Sequence, residues 1–191
     1  MILHLLLSTA LFSSFTPDIL LNKHARNFRL QSLTGKTFTL SELRGKVVYL
    51  NFWATWTKVS KEELPHLAAL QKKYGQYGFT VLAVSVDNHK TKILKFLKKH
   101  NIELITLWDR KKRVARRFLV ETMPSSYLID RNGRVRYIQK GYDADRMKAI
   151  QSKIEFLLSE PTTRKPAPPA ISYKPVMAHQ ETDHSAHRQV E

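Results

Sequence analysis

Two uninterrupted apolar stretches, Val47–Trp53 (VVYLNFW) and Phe79–Val86 (FTVLAVSV), constrain this chain more than anything else in it. Both are rich in β-branched and aromatic residues without polar alternation, so each reads as a strand buried on both faces. Between them Leu64, Leu67, Ala68 and Tyr74 recur at spacings of three and four or their sums, which is a helical stripe. Strand, helix and strand in that order imply a parallel pair joined by a crossover, in a sheet covered on both sides. Pro65 falls inside the helical stretch, where it lacks the backbone donor and is expected to kink the axis.

The flanking segments extend this unit. Phe28–Leu33 and Thr37–Leu40, joined by Thr34-Gly35-Lys36, read as a hairpin. Ile93, Leu94, Phe96 and Leu97 lie in a lysine-studded helix ending near His100. A short strand follows at Ile102–Leu107, then a basic helix at Lys111–Leu119. Ser126–Asp130 and Arg134–Gln139 flank Arg131-Asn132-Gly133, and Asn-Gly between β-prone runs is a strong hairpin signal. A last helix, Asp143 to about Leu158, turns Met147, Ile150, Ile154 and Leu157 or Leu158 inward. The expected architecture is an α/β sandwich occupying residues 22–160.

The two ends differ from this core. Ile2–Phe15 is apolar but, at about 14 residues, too short to span hydrocarbon, and within residues 1–21 it fits a secretory leader or an apolar anchor. Export to the periplasm or another extracytoplasmic compartment is expected, with membrane association as the variant. Residues 161–191 hold five of the eight prolines and little apolar periodicity, the composition of a disordered tail. His179, His184 and His187 lie there beside Glu181 and Asp183, but a flexible tail must lose entropy to bind metal, and no metal site is expected.

Charge and cysteine content narrow the function. The formal net charge is +16, all of it carried by residues 22–160, with 28 basic and 12 acidic side chains. Such a field is either a plain solvated face or a means of attracting anionic partners, among them an anionic membrane surface. No zinc finger, RNP motif or helix-turn-helix accompanies it, so specific nucleic-acid binding is not expected. The chain has no cysteine, which excludes disulfide scaffolds, cysteine-ligated metals and every mechanism that runs through the chain's own thiols.

Asn51-Phe52-Trp53-Ala54-Thr55-Trp56, then Thr57-Lys58-Val59-Ser60 and Glu62-Glu63-Leu64-Pro65, resemble the TlpA/ResA-like branch of the thioredoxin superfamily. That family's signature is N-F-W-A-T-W-C-x-x-C-x-x-E-x-P. Phe79–Asp87, Asp109, Met123-Pro124-Ser125 and Leu128–Gly133 extend the match in order over roughly residues 25–158. The resemblance implies a thioredoxin-like three-layer sandwich with an N-terminal β-hairpin and a central α/β insertion. It also implies a cis Met123–Pro124 bond facing the Thr57–Ser60 turn, in a loop that offers backbone groups to an extended peptide.

The family's cysteines fall on Thr57 and Ser60, and its active-site acid on Glu63. An alcohol forms no disulfide and has no two-electron couple near thiol potentials, so no catalytic residue of the family chemistry is left. Ser60-Lys61-Glu62-Glu63 has the form of a capping box, and Thr57 could equally cap a helix that starts earlier. Glu63 is then a cap or a polar partner. Trp53 is expected to pack around the central strand, and Trp56 to make surface contacts.

Three functions are compatible with these residues. The first is an exported, redox-inactive module without cofactor, binding an extended peptide or protein segment through Trp56, Thr57, Met123, Pro124 and Ser125. The second is a glutathione- or thiol-binding enzyme in which Thr57 hydrogen-bonds a bound thiolate; no helical domain of the glutathione-transferase kind follows to support it. The third is hydroxyl nucleophilic catalysis, for which the nearest histidine, His66, lies six residues beyond Ser60. Thiol-disulfide oxidoreductase activity remains a family attribute that this chain's own chemistry cannot supply.

Overall fold

The computed structural model describes residues 19–161. The leader or anchor expected at 1–21 therefore lies almost wholly outside the described residues. So do the tail expected at 161–191, apart from its first residue, and its histidines. Chain order gives β1 (Arg29–Gln31), β2 (Thr37–Thr39), β3 (Val47–Trp53), α1 (Lys58–Tyr74), β4 (Phe79–Ser85), α2 (Lys90–Lys99) and β5 (Ile105–Trp108). There follow α3 (Arg113–Arg117), β6 (Ser125–Ile129), β7 (Val135–Lys140) and α4 (Ala144–Ser159).

β1 and β2 form a two-stranded antiparallel hairpin, and the main sheet runs β5-β4-β3-β6-β7. β3 and β4 pair in parallel from Val47↔Phe79 to Trp53↔Ser85, and β5 continues the parallel side. β6 joins the other side of β3 antiparallel, and β7 closes the hairpin. Every residue of β3, β4 and β6 is buried, which is why their sequences carry no polar alternation.

Alternation appears instead between two cores. Val48, Leu50 and Phe52 face one layer with Phe28, Phe38, Val114, Ala115, Phe118 and Tyr127. Val47, Tyr49 and Trp53 face the other with Leu64, Leu67, Ile93, Phe96, Ile150 and Ile154. The sheet is thus sandwiched between α1, α2 and α4 on one side and α3 with the hairpin on the other, the three-layer α/β fold expected. α2, β5 and α3 form the α/β unit between β4 and β6.

Several boundaries move from their sequence expectation. The hairpin strands are shorter, and Leu40–Leu43 is a turn of 3-10 helix that buries Leu40 and Leu43. β5 starts at Ile105 rather than Ile102, because Ile102 is bonded back to Leu97 in the exit turn of α2. The helix expected at Lys111–Leu119 contracts to Arg113–Arg117. Lys112, at φ 53, and Leu119, at φ 57, both occupy the left-handed region and stop it at either end. α1 runs on through Pro65 for 17 residues in all.

Candidate functional site

The carboxyl ends of β3, β4 and β5 and the start of β6 meet at one end of the sheet, since Phe52 pairs with Ser125 and Ser85 with both Trp53 and Trp108. β4 lies on one side of β3 and β6 on the other, so the chain leaves β3 at a switch point, where open α/β sheets place their ligands. Asp87 fixes the exit. Its carboxylate accepts the Thr55 amide at 3.0 Å, the Thr55 hydroxyl at 2.6 Å and the Ser85 hydroxyl at 2.8 Å. Trp56 follows, 58% exposed on the rim.

Thr57 is the N-cap of α1, with extended backbone, and its Oγ1 accepts the Ser60 amide at 3.3 Å. Its hydroxyl donates to Ser60 Oγ at 2.5 Å and leans on the Ala54 carbonyl at 3.2 Å. The turn that holds the family's cysteine positions is therefore closed on itself by two alcohols and a backbone amide. This corrects the capping-box reading: Ser60 is not the cap but the third residue of the helix, and it is fully buried.

Glu63, one turn further, does not reach back to the helix start. It is fully buried and turned to the sheet. Asn51 donates from Nδ2 to Glu63 Oε2 at 2.8 Å and to Ser126 Oγ at 2.9 Å, and Ser126 donates to Glu63 Oε1 at 3.3 Å. The ring joins β3, α1 and β6, with Asn51 and Ser126 facing each other across the ladder. Burial pushes the Glu63 carboxyl up to about 7, although the bonds from Asn51 and Ser126 pull the other way. The Tyr49 hydroxyl, raised by burial and by Glu63, comes near Ser126 without closing a hydrogen bond. Asn51 Oδ1 and Trp53 Nε1 are likewise buried without a partner.

In the Met123-Pro124-Ser125 segment before β6 one side chain is accessible. Met123 is half-buried, while Pro124 and Ser125 are buried and the Met123–Pro124 bond is cis. The Pro124 carbonyl accepts the Gly141 amide at 2.8 Å, and the Ser125 hydroxyl donates to Thr122 O at 2.7 Å. Among the described residues the amide and carbonyl of Met123 bond to nothing. Of the five residues expected at the groove, Trp56 is exposed, Thr57 and Met123 are half-buried, and Pro124 and Ser125 are buried. His66 stacks on Tyr142 at 6.0 Å, away from the Thr57 hydroxyl's partners. Among the described residues no group of three or more His, Asp or Glu could hold a metal ion.

Sequence reading passed over Asn51, Ser126 and Asp87. A signal for Asn51 was present: an amide in the middle of an otherwise apolar, doubly buried strand must find a buried partner. Ser126 and Asp87 carried no comparable mark, because their roles depend on strand register and on the turn after β3.

Residues 21–138 match the family model described as the AhpC/TSA family. The chain is 36% identical over 117 residues to the thiol-disulfide oxidoreductase ResA of Geobacillus thermodenitrificans, covering 61% of this chain and 67% of that one. Against ResA of Bacillus subtilis the identity is 34% over 111 residues, covering 58% and 62%. The chain thus spans about two thirds of the length of these relatives. Among solved structures, a Chlorobium tepidum protein assigned as thiol:disulfide interchange protein DsbE superposes with a TM-score of 0.68 at 35% identity, over 71% of this chain and 96% of that one. The exposed lipoprotein thioredoxin Etrx1 of Streptococcus pneumoniae gives 0.60 at 27%, over 69% and 99%.

Proposed function

The chain belongs to the AhpC/TSA family, in the ResA-like branch of thioredoxin-fold proteins, and from that membership we propose that it is a redox-inactive binding module of the cell envelope. It holds an extended peptide or protein segment, without covalent exchange, at the fold's substrate end. One observation carries the reading: the two positions of the missing dithiol are Thr57 and Ser60, locked onto each other at 2.5 Å, in a chain with no cysteine. A thiolate exchanges disulfides; an alcohol engaged as a helix cap does not.

What the fold retains around that turn suits binding. Trp56 stands exposed, and at the same end of the sheet the Met123 amide and carbonyl, unbonded among the described residues, suit strand-like pairing. Burying about 100 Å² of apolar surface contributes on the order of 2.5 kcal/mol before ordering costs, which is consistent with micromolar binding. Envelope location is supported by the apolar segment at the N-terminus and by the likeness to an exposed lipoprotein. Among the described residues no helix is long and apolar enough to cross a membrane.

The test has two arms. Purified chain in an insulin-reduction assay gives no turnover above the buffer and glutathione blank; turnover by a preparation shown by mass to be homogeneous overturns redox inactivity. In the second arm, labelled cysteine-free peptides of about twelve residues are titrated by anisotropy against parent and Trp56→Ala protein. Binding weakened by about tenfold in the folded variant supports the groove. Equal binding by both proteins removes it.

A further inference from the structure

The rim of the site is built from cations on the side facing α3. Arg110, Lys111, Lys112, Arg113, Arg116 and Arg117 are all exposed, and among the described residues none of them pairs with a carboxylate. The one acid in the segment, Asp109, is buried. It is occupied by the amides of Arg113, Val114 and Ala115 at 2.8 to 3.0 Å, out of reach of the surface charges.

A second observation ties this segment to the site. Lys112 takes the left-handed conformation, which costs a non-glycine residue, and its Nζ lies 5.7 Å from the centre of the Trp56 ring. The segment leaves β5 at the same end of the sheet as the Thr57 turn and the Met123 loop. Lys58 and Lys61 are exposed on the first turns of α1. Of the exposed carboxylates flanking these elements, Glu121 already faces Lys140 at 3.6 Å and Asp143 is engaged by the amides of Asp145 and Arg146 as the cap of α4, leaving Glu62.

We propose that this basic segment makes the groove between Trp56 and Met123 selective for an acidic, extended protein segment. The inference rests on the groove-binding reading above and adds the chemistry of the occupant. An acidic strand can pair with the free amide and carbonyl of Met123 while its carboxylates meet the α3 cations. An anionic bilayer could meet the same cations but has no strand edge to offer the Met123 backbone.

Three forms of the protein distinguish the outcomes: the parent, Trp56→Ala, and a quadruple variant with Arg110, Lys111, Arg113 and Arg116 changed to Gln. The four are exposed and have no side-chain partner, so the variant should fold, as circular dichroism and its melting curve would confirm. Probes are peptides of one apolar pattern in Asp/Glu and Asn/Gln versions, vesicles containing phosphatidylglycerol, and a single-stranded oligonucleotide. Expected is binding of the acidic peptide at least tenfold tighter than its amide twin at low salt, falling steeply as salt rises. The quadruple variant removes that preference, and Trp56→Ala weakens both peptides. If the two peptides bind the parent equally and Trp56→Ala still weakens them, acid selectivity is wrong while groove binding survives. If Trp56→Ala leaves acidic-peptide binding intact, the cations act away from the groove and the inference fails. Tight binding of vesicles or oligonucleotide, with none of acidic peptide, overturns it in favour of another polyanion.

Discussion

One turn of α1 separates two regions with opposite fates, the surface turn at Thr57–Ser60 and the buried ring of Asn51, Glu63 and Ser126. At the turn the two hydroxyls and the Ser60 amide find partners within three residues, and these bonds involve no charged group. In the ring the partners come from β3 and β6, and the charge that remains is costly: the carboxyl is pushed up to about 7, with orphaned polar atoms of Tyr49 and Asn51 on the same face of β3. The turn can exchange sulfur for oxygen because a helix cap needs only an acceptor. The ring is tied to strand register, so removing the polar group of one member strands the other two.

The largest effect that would sharpen this contrast is restoration of the dithiol. In Thr57→Cys/Ser60→Cys the turn should gain a reducible intramolecular disulfide and insulin-reductase activity, from none at all, since the fold superposes on that of a thiol:disulfide interchange protein and Thr57 caps a helix N-terminus where a thiolate is stabilised. Titration of free thiols with and without reductant, followed by the insulin assay, is the check. A double variant that folds but stays a free dithiol under oxidant would show that the turn has drifted from exchange geometry.

The next effect belongs to the ring. Glu63 has an ordinary value of 4.5 and is raised to about 7 in the fold. A raised carboxyl means that the folded state holds its proton more tightly than the unfolded chain does. Its stabilising share is therefore complete below about pH 4.5, lost as pH rises through 7, and constant above. The loss amounts to about 3 kcal/mol, from roughly 1.4 kcal/mol per unit. Glu63→Gln should abolish that slope: its amide oxygen can accept from Asn51, and its nitrogen can donate to Ser126. Urea unfolding of both proteins between pH 4 and 9 measures it. Parallel curves would mean that Glu63 is hydrated, and the contrast with the turn would collapse.

Much of this architecture could be read from the residues. Val47–Trp53 and Phe79–Val86 are unbroken because both faces of their sheet are covered, and that alone placed the parallel pair and its crossover. The site was legible as far as local chemistry reached: Trp56 at the rim, Thr57 as one of two possible caps, Glu63 as a polar partner. Which hydroxyl caps α1 was open, since Thr57 and Ser60 both precede helical residues and only backbone angles decide. The Asn51–Ser126 pair depends on antiparallel register between strands 75 positions apart. Lys112 over Trp56 depends on a left-handed residue that sequence gave no reason to expect, lysine being an unfavourable choice there.

The smallest effect separates the two alcohols of the turn. Thr57→Ala removes the acceptor for the Ser60 amide and should cost about 1 kcal/mol, the usual loss for an N-cap. Ser60→Ala removes only a hydroxyl that accepts from Thr57. The Thr57 proton can then turn to the Ala54 carbonyl, already 3.2 Å away, and the backbone amide at position 60 keeps its bond to Thr57 Oγ1. The cost of Ser60→Ala should thus be about 0.5 kcal/mol or less, since no buried donor is stranded. A capping box starting at Ser60 would demand the reverse order. Because both changes leave Glu63 and its ring untouched, the two unfolding curves should keep the parent's pH dependence and differ only by a constant offset. Ser60→Ala costing more than Thr57→Ala, or either one altering the pH slope, would join the turn to the ring and undo the separation between them.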